Sequence, residues 1–381
     1  MRADAEAKEL SAQAPEFYGG KVNTIASGPK LLWLLRHEPD VMKRARRVLL
    51  TPDHLIHALT GNAVSDPATA GSTALYDRDA GRWVDALLSQ CGLTPKMMPE
   101  VRHPGESAGT LTPQAASQLG LTENTLVAVG TNDQSVGALG AGNVTPGCAS
   151  VTLGTALAII VTSEAPHDVP EGIGVGLHPA RGLHTLLAFA KTAGIVLRWF
   201  RNIFVVGISF ERLFGEISHV PVGADGVTCL PHFAGTATPR FNPSARGAFA
   251  GLNLSHTRAH LARAVVEALT FTIRENLELL APTAGEITEL RVWGGGAKSD
   301  VWLQMIADAT GHEVERVATT EAAVLGAAEL AMVACGRFAS VAEASTTLYR
   351  AEERFRPDAS VRAAYDEAYE RYRSLFKRLY G

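Results

Sequence analysis

The feature that most narrows how this chain can fold is the run Leu290-Arg291-Val292-Trp293-Gly294-Gly295-Gly296-Ala297-Lys298-Ser299. An apolar strand over 287–293 meets three consecutive glycines, and a helical pattern follows over 301–310. Strand, glycine turn and helix in that order belong to an α/β architecture, with helices laid on a sheet. Glycine is costly in chain entropy, so three in a row ask for a reason. They close a tight connection, or they leave bare backbone against which a flat ligand can lie. The sequence alone keeps both readings open. The run is not a P-loop, because no Gly-Lys-Ser/Thr follows at the required spacing, and the dinucleotide pattern GxGxxG fails at Ser299.

Two further stretches carry chemistry. In Val129-Gly130-Thr131-Asn132-Asp133-Gln134-Ser135-Val136-Gly137 a lone acid sits between glycines after a short apolar strand over 126–130. That puts Asp133 near the carboxyl end of a strand, where ligands tend to lie in open α/β sheets. A carboxylate so placed suits a general base for an attacking hydroxyl. A turn aspartate bonded to its own backbone is the competing reading. The second stretch is Ser150-Val151-Thr152-Leu153-Gly154-Thr155, a strand entering a glycine-threonine turn. A strand over 156–161 follows, which makes a hairpin. Gly154 can turn a backbone N–H toward a phosphate oxygen, and the Thr155 hydroxyl adds a donor.

Around these, residues 1–14, 31–36, 40–47, 54–59, 83–91 and 192–204 read as helical, and 61–82 as loop. Residues 226–230 read as a strand, and 234–251 as a long loop rich in Gly, Pro and Asn. The apolar series Leu261, Val265, Leu269, Ile273 and Leu277 predicts one buried face on a helix over 256–280. An Ala-rich buried helix is expected over 321–335 and a charged amphipathic helix over 360–380. The five tryptophans are expected to fill core gaps, and Glu352-Glu353 to lie on a solvated helix face.

The 381 residues suit two or three domains, and 46% hydrophobic content can bury a full core. The net charge of −4 supplies no electrostatic reason to bind nucleic acid or an anionic membrane. Cys91, Cys148, Cys229 and Cys335 are far apart and form no CxxC pair, which fits a reducing cytoplasm and no zinc site. The twelve histidines show no metal-ligand spacing. No apolar run reaches the roughly 18 residues of a membrane helix, because Lys191, Arg198 and Arg201 interrupt residues 186–206. The polar start has no secretory h-region.

Taken together, the pattern resembles the FGGY carbohydrate kinases. The sharpest match is Gly247-Ala248-Phe249-Ala250-Gly251-Leu252, then seven residues, then His260-Leu261-Ala262-Arg263-Ala264-Val265-Val266-Glu267. Ser27-Gly28-Pro29-Lys30-Leu31-Leu32-Trp33 meets the N-terminal signature less fully. Ala234-Gly235-Thr236-Ala237-Thr238-Pro239 with Asn242-Pro243-Ser244-Ala245-Arg246-Gly247 is similar to the xylulokinase branch.

The resemblance implies an α/β fold of two actin-like ATPase domains of ribonuclease H type, with sugar and ATP in the cleft between them. Residues 1–146 would be the remainder of the sugar-side domain and 147–350 the nucleotide-side domain, with 351–381 a terminal amphipathic helix. It implies Asp133 as catalytic base and Gln134 as a contact to the polyol. Gly154, Thr155, Gly194, Gly294, Gly295, Gly296 and Ser299 would contact the nucleotide. Cofactors would be ATP and Mg2+, and partners a sugar or polyol, with no nucleic acid, no membrane and a possible homodimer. D-xylulose is the expected acceptor. Gluconate, ribulose, fuculose and glycerol are alternatives, and so is a non-catalytic homologue that binds nucleotide or a partner.

One departure accompanies the match. The family's first strands, with their Gly-Thr phosphate hairpin and preceding aspartate, have no counterpart here. The expectation is a first domain truncated at its N-terminus, with an open sheet edge and half a phosphate clamp. Such a chain would bind adenine nucleotide and transfer phosphate poorly.

Overall fold

A computed structural model describes residues 2–13 and 22–381. The expected first helix is present as Asp4–Gln13; its ends at residues 1 and 14 lie outside the described residues. The chain divides into two compact units. The first is Met1–Gly140, Val175–Leu183 and Ala323–Leu348; the second is Ala141–Gly174, His184–Ala322 and Tyr349–Gly381.

The first unit is mainly helical. Leu10, Leu32, Leu75, Leu88 and Cys91 pack into one buried cluster. Thr51–Thr60 is a helix with Pro52 in its first turn and Gly61 in the left-handed conformation at its end, as the Thr-Pro-Asp and Thr-Gly signals predict. The stretch expected as loop over 61–82 holds more than loop. Val64–Ser65 pairs in parallel with Glu100–Val101, and Pro67–Gly71 is a helix capped by Asp66. These pieces are too short to show a period, so only the Asp-Pro start could have announced them. Arg82–Trp83 is a strand paired with Tyr76–Asp77, and the helix expected from 83 begins at Asp85.

The helix Ala322–Ala334 enters this unit from Ala323. Its expected burial is only partial, since Val324 is exposed. One face is nonetheless pressed hard onto the helix Asp133–Gly140. A Cβ added at Gly326 would strike the Val136 carbonyl and come within 3.0 Å of Gly140 N. Glycine at 326 is what lets the two backbones approach.

The second unit is built on one sheet. Six of its strands are β1 (Cys148–Leu153), β2 (Leu157–Ser163), β3 (His184–Ala190), β4 (Glu289–Trp293), β5 (Val314–Val317) and β6 (Ala351–Phe355). They lie in the order β6-β5-β4-β1-β2-β3. β1, β2 and β3 form an antiparallel meander. β4 runs parallel to β1, and β5 parallel to β4. An antiparallel meander extended by parallel strands on its first member is the ribonuclease H arrangement. Helix Arg258–Ala284 buries Val265, Leu269, Ile273 and Leu277 as its sequence period predicts, but Leu261 is only half-buried, and residues 262–273 are buried on every side, so the expected single face is too narrow.

β5 and β6 escape sequence reading because they are charged. Glu353, expected on a helix face, is in a strand opposite Arg316, and Glu315 is opposite Arg354. Arg316–Glu353 (3.3 Å) and Arg354–Glu315 (2.6 Å) are ion pairs, each cross-strand pair contributing about 0.2–1 kcal/mol. Opposite charges across the ladder support this edge together with the buried Val314–Phe355 pair and Val317. The loop over 234–251 also hides a short strand, Ala248–Ala250, paired with Thr228–Leu230. Trp302 fills the core as expected, fully buried and donating from Nε1 to Thr270 Oγ1 (3.2 Å). Trp199 does not; it is 36% exposed and leans on Phe233 and Phe204 at the surface.

Candidate functional site

The strand Leu126–Ala128 pairs with Ser107–Thr110 in a two-stranded antiparallel ladder. The expected strand is present, but Asp133 is not at its end in an open sheet. It is the first residue of the helix Asp133–Gly140. Asn132 caps that helix by accepting the Ser135 amide on its Oδ1 (2.9 Å), a bond typically worth about 1 kcal/mol. An acid in the first turn faces the positive end of the helix. Asp133 is exposed, and among the described residues its carboxylate has no hydrogen-bond or ion-pair partner. The competing turn reading, in which the side chain bonds its own backbone, is therefore not what the structure contains: Asn132 does the capping and leaves Asp133 free. Beside it, Gln134 Oε1 is buried without a hydrogen-bond partner.

Two residues that sequence reading passed over hold this corner. Thr131 Oγ1 donates to Asp66 Oδ1 (2.8 Å). Asp66 also accepts the amides of Ala68 (3.0 Å) and Thr69 (3.2 Å). Burial pushes its carboxyl above the usual range, opposed by these hydrogen bonds. The only signal in the sequence is the Asp66-Pro67 helix start.

In the second unit the structure gathers the remaining candidates. The β1–β2 turn at Gly154 and Thr155 docks on the start of the helix Gly194–Phe204. Gly194 N donates to Gly154 O (2.9 Å), and Ala193 N (3.1 Å) and Ile195 N (3.3 Å) donate to Thr155 O. A Cβ on Gly194 would lie 2.7 Å from Gly154 O, so glycine is required for the docking. The hairpin carbonyls thus occupy the first amides of this helix. The Gly154 amide also donates within the turn, to Ala156 O (3.2 Å). The outward donor expected from Gly154 is therefore spent, because the turn closes on itself. Thr155 is exposed, and its hydroxyl has no partner among the described residues.

The triple glycine lies against the end of β1. Gly294 has φ +95°, and a Cβ there would come 3.0 Å from Leu153 O. A Cβ on Gly296 would lie 2.8 Å from both Leu153 Cβ and the Trp302 ring. Gly294 and Gly296 therefore have packing reasons to be glycine. Gly295 has none: its added Cβ meets nothing within 4 Å, and its backbone is exposed. Both readings of the run hold at once, divided among its members. Ser299 caps the helix Asp300–Thr310 by accepting the Trp302 amide (3.2 Å).

No group of three His, Cys, Asp or Glu side chains suited to a metal ion occurs among the described residues, so these side chains form no metal cage. No helix among them is long and apolar enough to cross a membrane.

Two units, one carrying a ribonuclease H-type sheet with a glycine-lined turn and the other an acid at a helix start that is unpartnered among the described residues, fit the two-domain α/β fold of the sugar kinases. Residues 4–140 match the N-terminal domain of the FGGY family of carbohydrate kinases, and residues 149–335 its C-terminal domain. The xylulose kinase of Bacillus subtilis (strain 168) is 30% identical over 349 residues, 91% of this chain and 70% of that protein. The autoinducer-2 kinase of Escherichia coli (strain ATCC 8739) is 32% identical over 375 residues, 94% of this chain and 70% of that protein. The crystal structure of xylulose kinase from Rhodospirillum rubrum superposes with a TM-score of 0.89 at 29% identity, covering all of this chain and 78% of that one. The chain belongs to the FGGY family of carbohydrate kinases, and it is a sugar phosphotransferase.

Proposed function

We propose that this kinase transfers the γ-phosphoryl group of Mg–ATP to a hydroxyl of D-xylulose, with Asp133 as general base. The observation that carries the assignment is the exposed Asp133 carboxylate, without a partner among the described residues, on a capped helix start. The sugar oxygen forms the new bond to phosphorus as the bond to the β-phosphate oxygen breaks. ADP leaves, and the hydroxyl proton passes to Asp133. Gln134 is read as a contact to the sugar, since its buried Oε1 has no donor among the described residues. Magnesium enters as part of the nucleotide substrate. This reading also places the enzyme in the cytoplasm, supported by the exposed free thiol of Cys335.

The nucleotide is assigned to the second unit, through Thr155, the Gly294-Gly295-Gly296 turn and Ser299, with Gly154 and Gly194, whose amides are spent within the docked turn, shaping the surface beneath it. The open space over Gly295 gives a clean test. Gly295→Val is expected to fold, because no atom of the described residues lies within 4 Å of an added Cβ. It should weaken ADP binding by ~10-fold or more in calorimetry, about 1.4 kcal/mol. Unchanged affinity would take the adenosine away from this turn.

Substrate choice is tested by turnover on a panel of D-xylulose, gluconate, ribulose, fuculose, glycerol and autoinducer-2. The proposal expects kcat/KM for D-xylulose to lead by at least ~10-fold, the discrimination one good polar contact supplies. A lead for autoinducer-2, which a relative of similar identity is named for, would replace D-xylulose and leave the Asp133 assignment standing.

A further inference from the structure

The route from the ladder strand to Asp133 is held at both ends and nearly unheld between. Upstream, Val129 N donates to Glu106 O (2.8 Å), and Gly105 N donates to Val129 O (2.9 Å). Downstream, Asn132 accepts the Ser135 amide on its side chain and the Val136 amide on its carbonyl. Between them lie Gly130 and Thr131. Among the described residues these two make one hydrogen bond, from Thr131 Oγ1 to Asp66. A Cβ on Gly130 would meet nothing within 4 Å, so packing does not hold the link there.

Asp66 is a firm post. It is 3% exposed and follows Ser65, which pairs with Val101 and accepts the Arg102 amide (3.0 Å). One carboxylate oxygen receives the Ala68, Thr69 and Thr131 donors together. Two of these bonds cap a short helix; the third reaches to a residue 65 positions along the chain. Capping explains the first two and not the third.

We propose that Asp66 is a positioning residue for phosphoryl transfer: through the Thr131 hydroxyl it fixes the link that aims Asp133. This rests on Asp133 being the general base. A hydrogen bond to a charged group is among the stronger single polar contacts in a protein. A base misplaced by about an ångström loses ~10²-fold in rate.

The test compares Thr131→Val, which removes the hydroxyl at nearly constant shape, with Thr131→Ser, which keeps it. Two quantities are read on the full chain. One is backbone amide hydrogen exchange across 130–136; the other is kcat and KM for sugar phosphorylation. Thr131→Val should speed exchange in that segment by ~10-fold or more and leave the Leu126–Ala128 ladder unchanged. It should lower kcat by ~10- to 10²-fold with KM for ATP within about twofold, and Thr131→Ser should restore both. Asp66→Asn, which keeps a capping oxygen and removes the charge, should act in the same direction. Combined with Thr131→Val it should add little to exchange in 130–136, since Thr131→Val already removes the one bond through which Asp66 reaches that link.

Wild-type exchange in Thr131→Val, failure of serine to rescue, or additive effects on that exchange in the double variant would each overturn the proposal. Asp133→Asn run alongside separates the two ideas. If it keeps turnover, the base assignment fails, while the exchange data still decide whether Asp66 orders the link.

Discussion

Replacing Asp133 by asparagine is expected to leave the protein folded and able to bind ADP, yet to cut sugar phosphorylation by more than ~10²-fold, the lower end for losing a general base. The fold should not notice. Asp133 is exposed and has no partner among the described residues, and the cap of its helix is supplied by Asn132. Asparagine keeps the shape and the position; it removes only the ability to take a proton. ADP affinity should stay within about twofold, because the residues assigned to the nucleotide belong to the other unit and 1.4 kcal/mol would already be tenfold. Steady-state kinetics and calorimetry on the same preparation check both halves. Near-wild-type turnover would remove Asp133 from the chemistry. Lost ADP binding would mean that it contacts the nucleotide instead.

The second large effect concerns Glu329 and is one of stability. Its side chain is 0% exposed, and among the described residues neither carboxyl oxygen receives a hydrogen bond. The neighbouring Ser345 hydroxyl donates to Leu139 O (2.7 Å), so it can accept from Glu329 only when the acid is protonated. Burial pushes the Glu329 carboxyl up from 4.5 to about 8. The sign follows from proton counting. Between those two values the folded protein holds a proton that the unfolded chain has released. Stability therefore falls as pH rises through the window, by about 1.4 kcal/mol per pH unit, and levels off above it.

Glu329→Gln mimics the neutral acid and should abolish that slope. The variant should match the wild type near the acidic end of the window and exceed it increasingly toward pH 8. Denaturant unfolding of the first unit at a series of pH values reads the gap directly. A gap that stays constant with pH would show that Glu329 is ionised or hydrated in the folded protein. The result also bears on function. Glu329 lies one turn beyond Gly326, where its helix presses on the backbone of Asp133–Gly140.

Which parts of this were legible in the sequence follows from the physics of each part. The glycine turns are conspicuous in the sequence, so Gly154 and the triple glycine could be picked out, and the resemblance added Gly194; that only Gly194, Gly294 and Gly296 are held to glycine by close contacts was not legible. Positions Val265, Leu269, Ile273 and Leu277 of Arg258–Ala284 were legible because a long helix repeats its pattern many times; its burial on every side over 262–273 was not. The charged strands β5 and β6 were not. Their support comes from partners across the ladder, Arg316 with Glu353 and Glu315 with Arg354, and no local window contains both members of a pair.

The sequence by itself determined the class of fold, the family and the residue types of the chemistry, because period, glycine placement and signature spacing are local quantities. Only the tertiary structure decided how those residues divide their work. It separated Gly295, bare and open, from Gly294 and Gly296, which are packed against Leu153 and Trp302. It turned the Gly154 amide inward and left Thr155 exposed. It also tied Thr131 to Asp66, 65 residues away. Each of these depends on which distant atoms end up within a few ångströms, and that distance is set by packing and not by position along the chain.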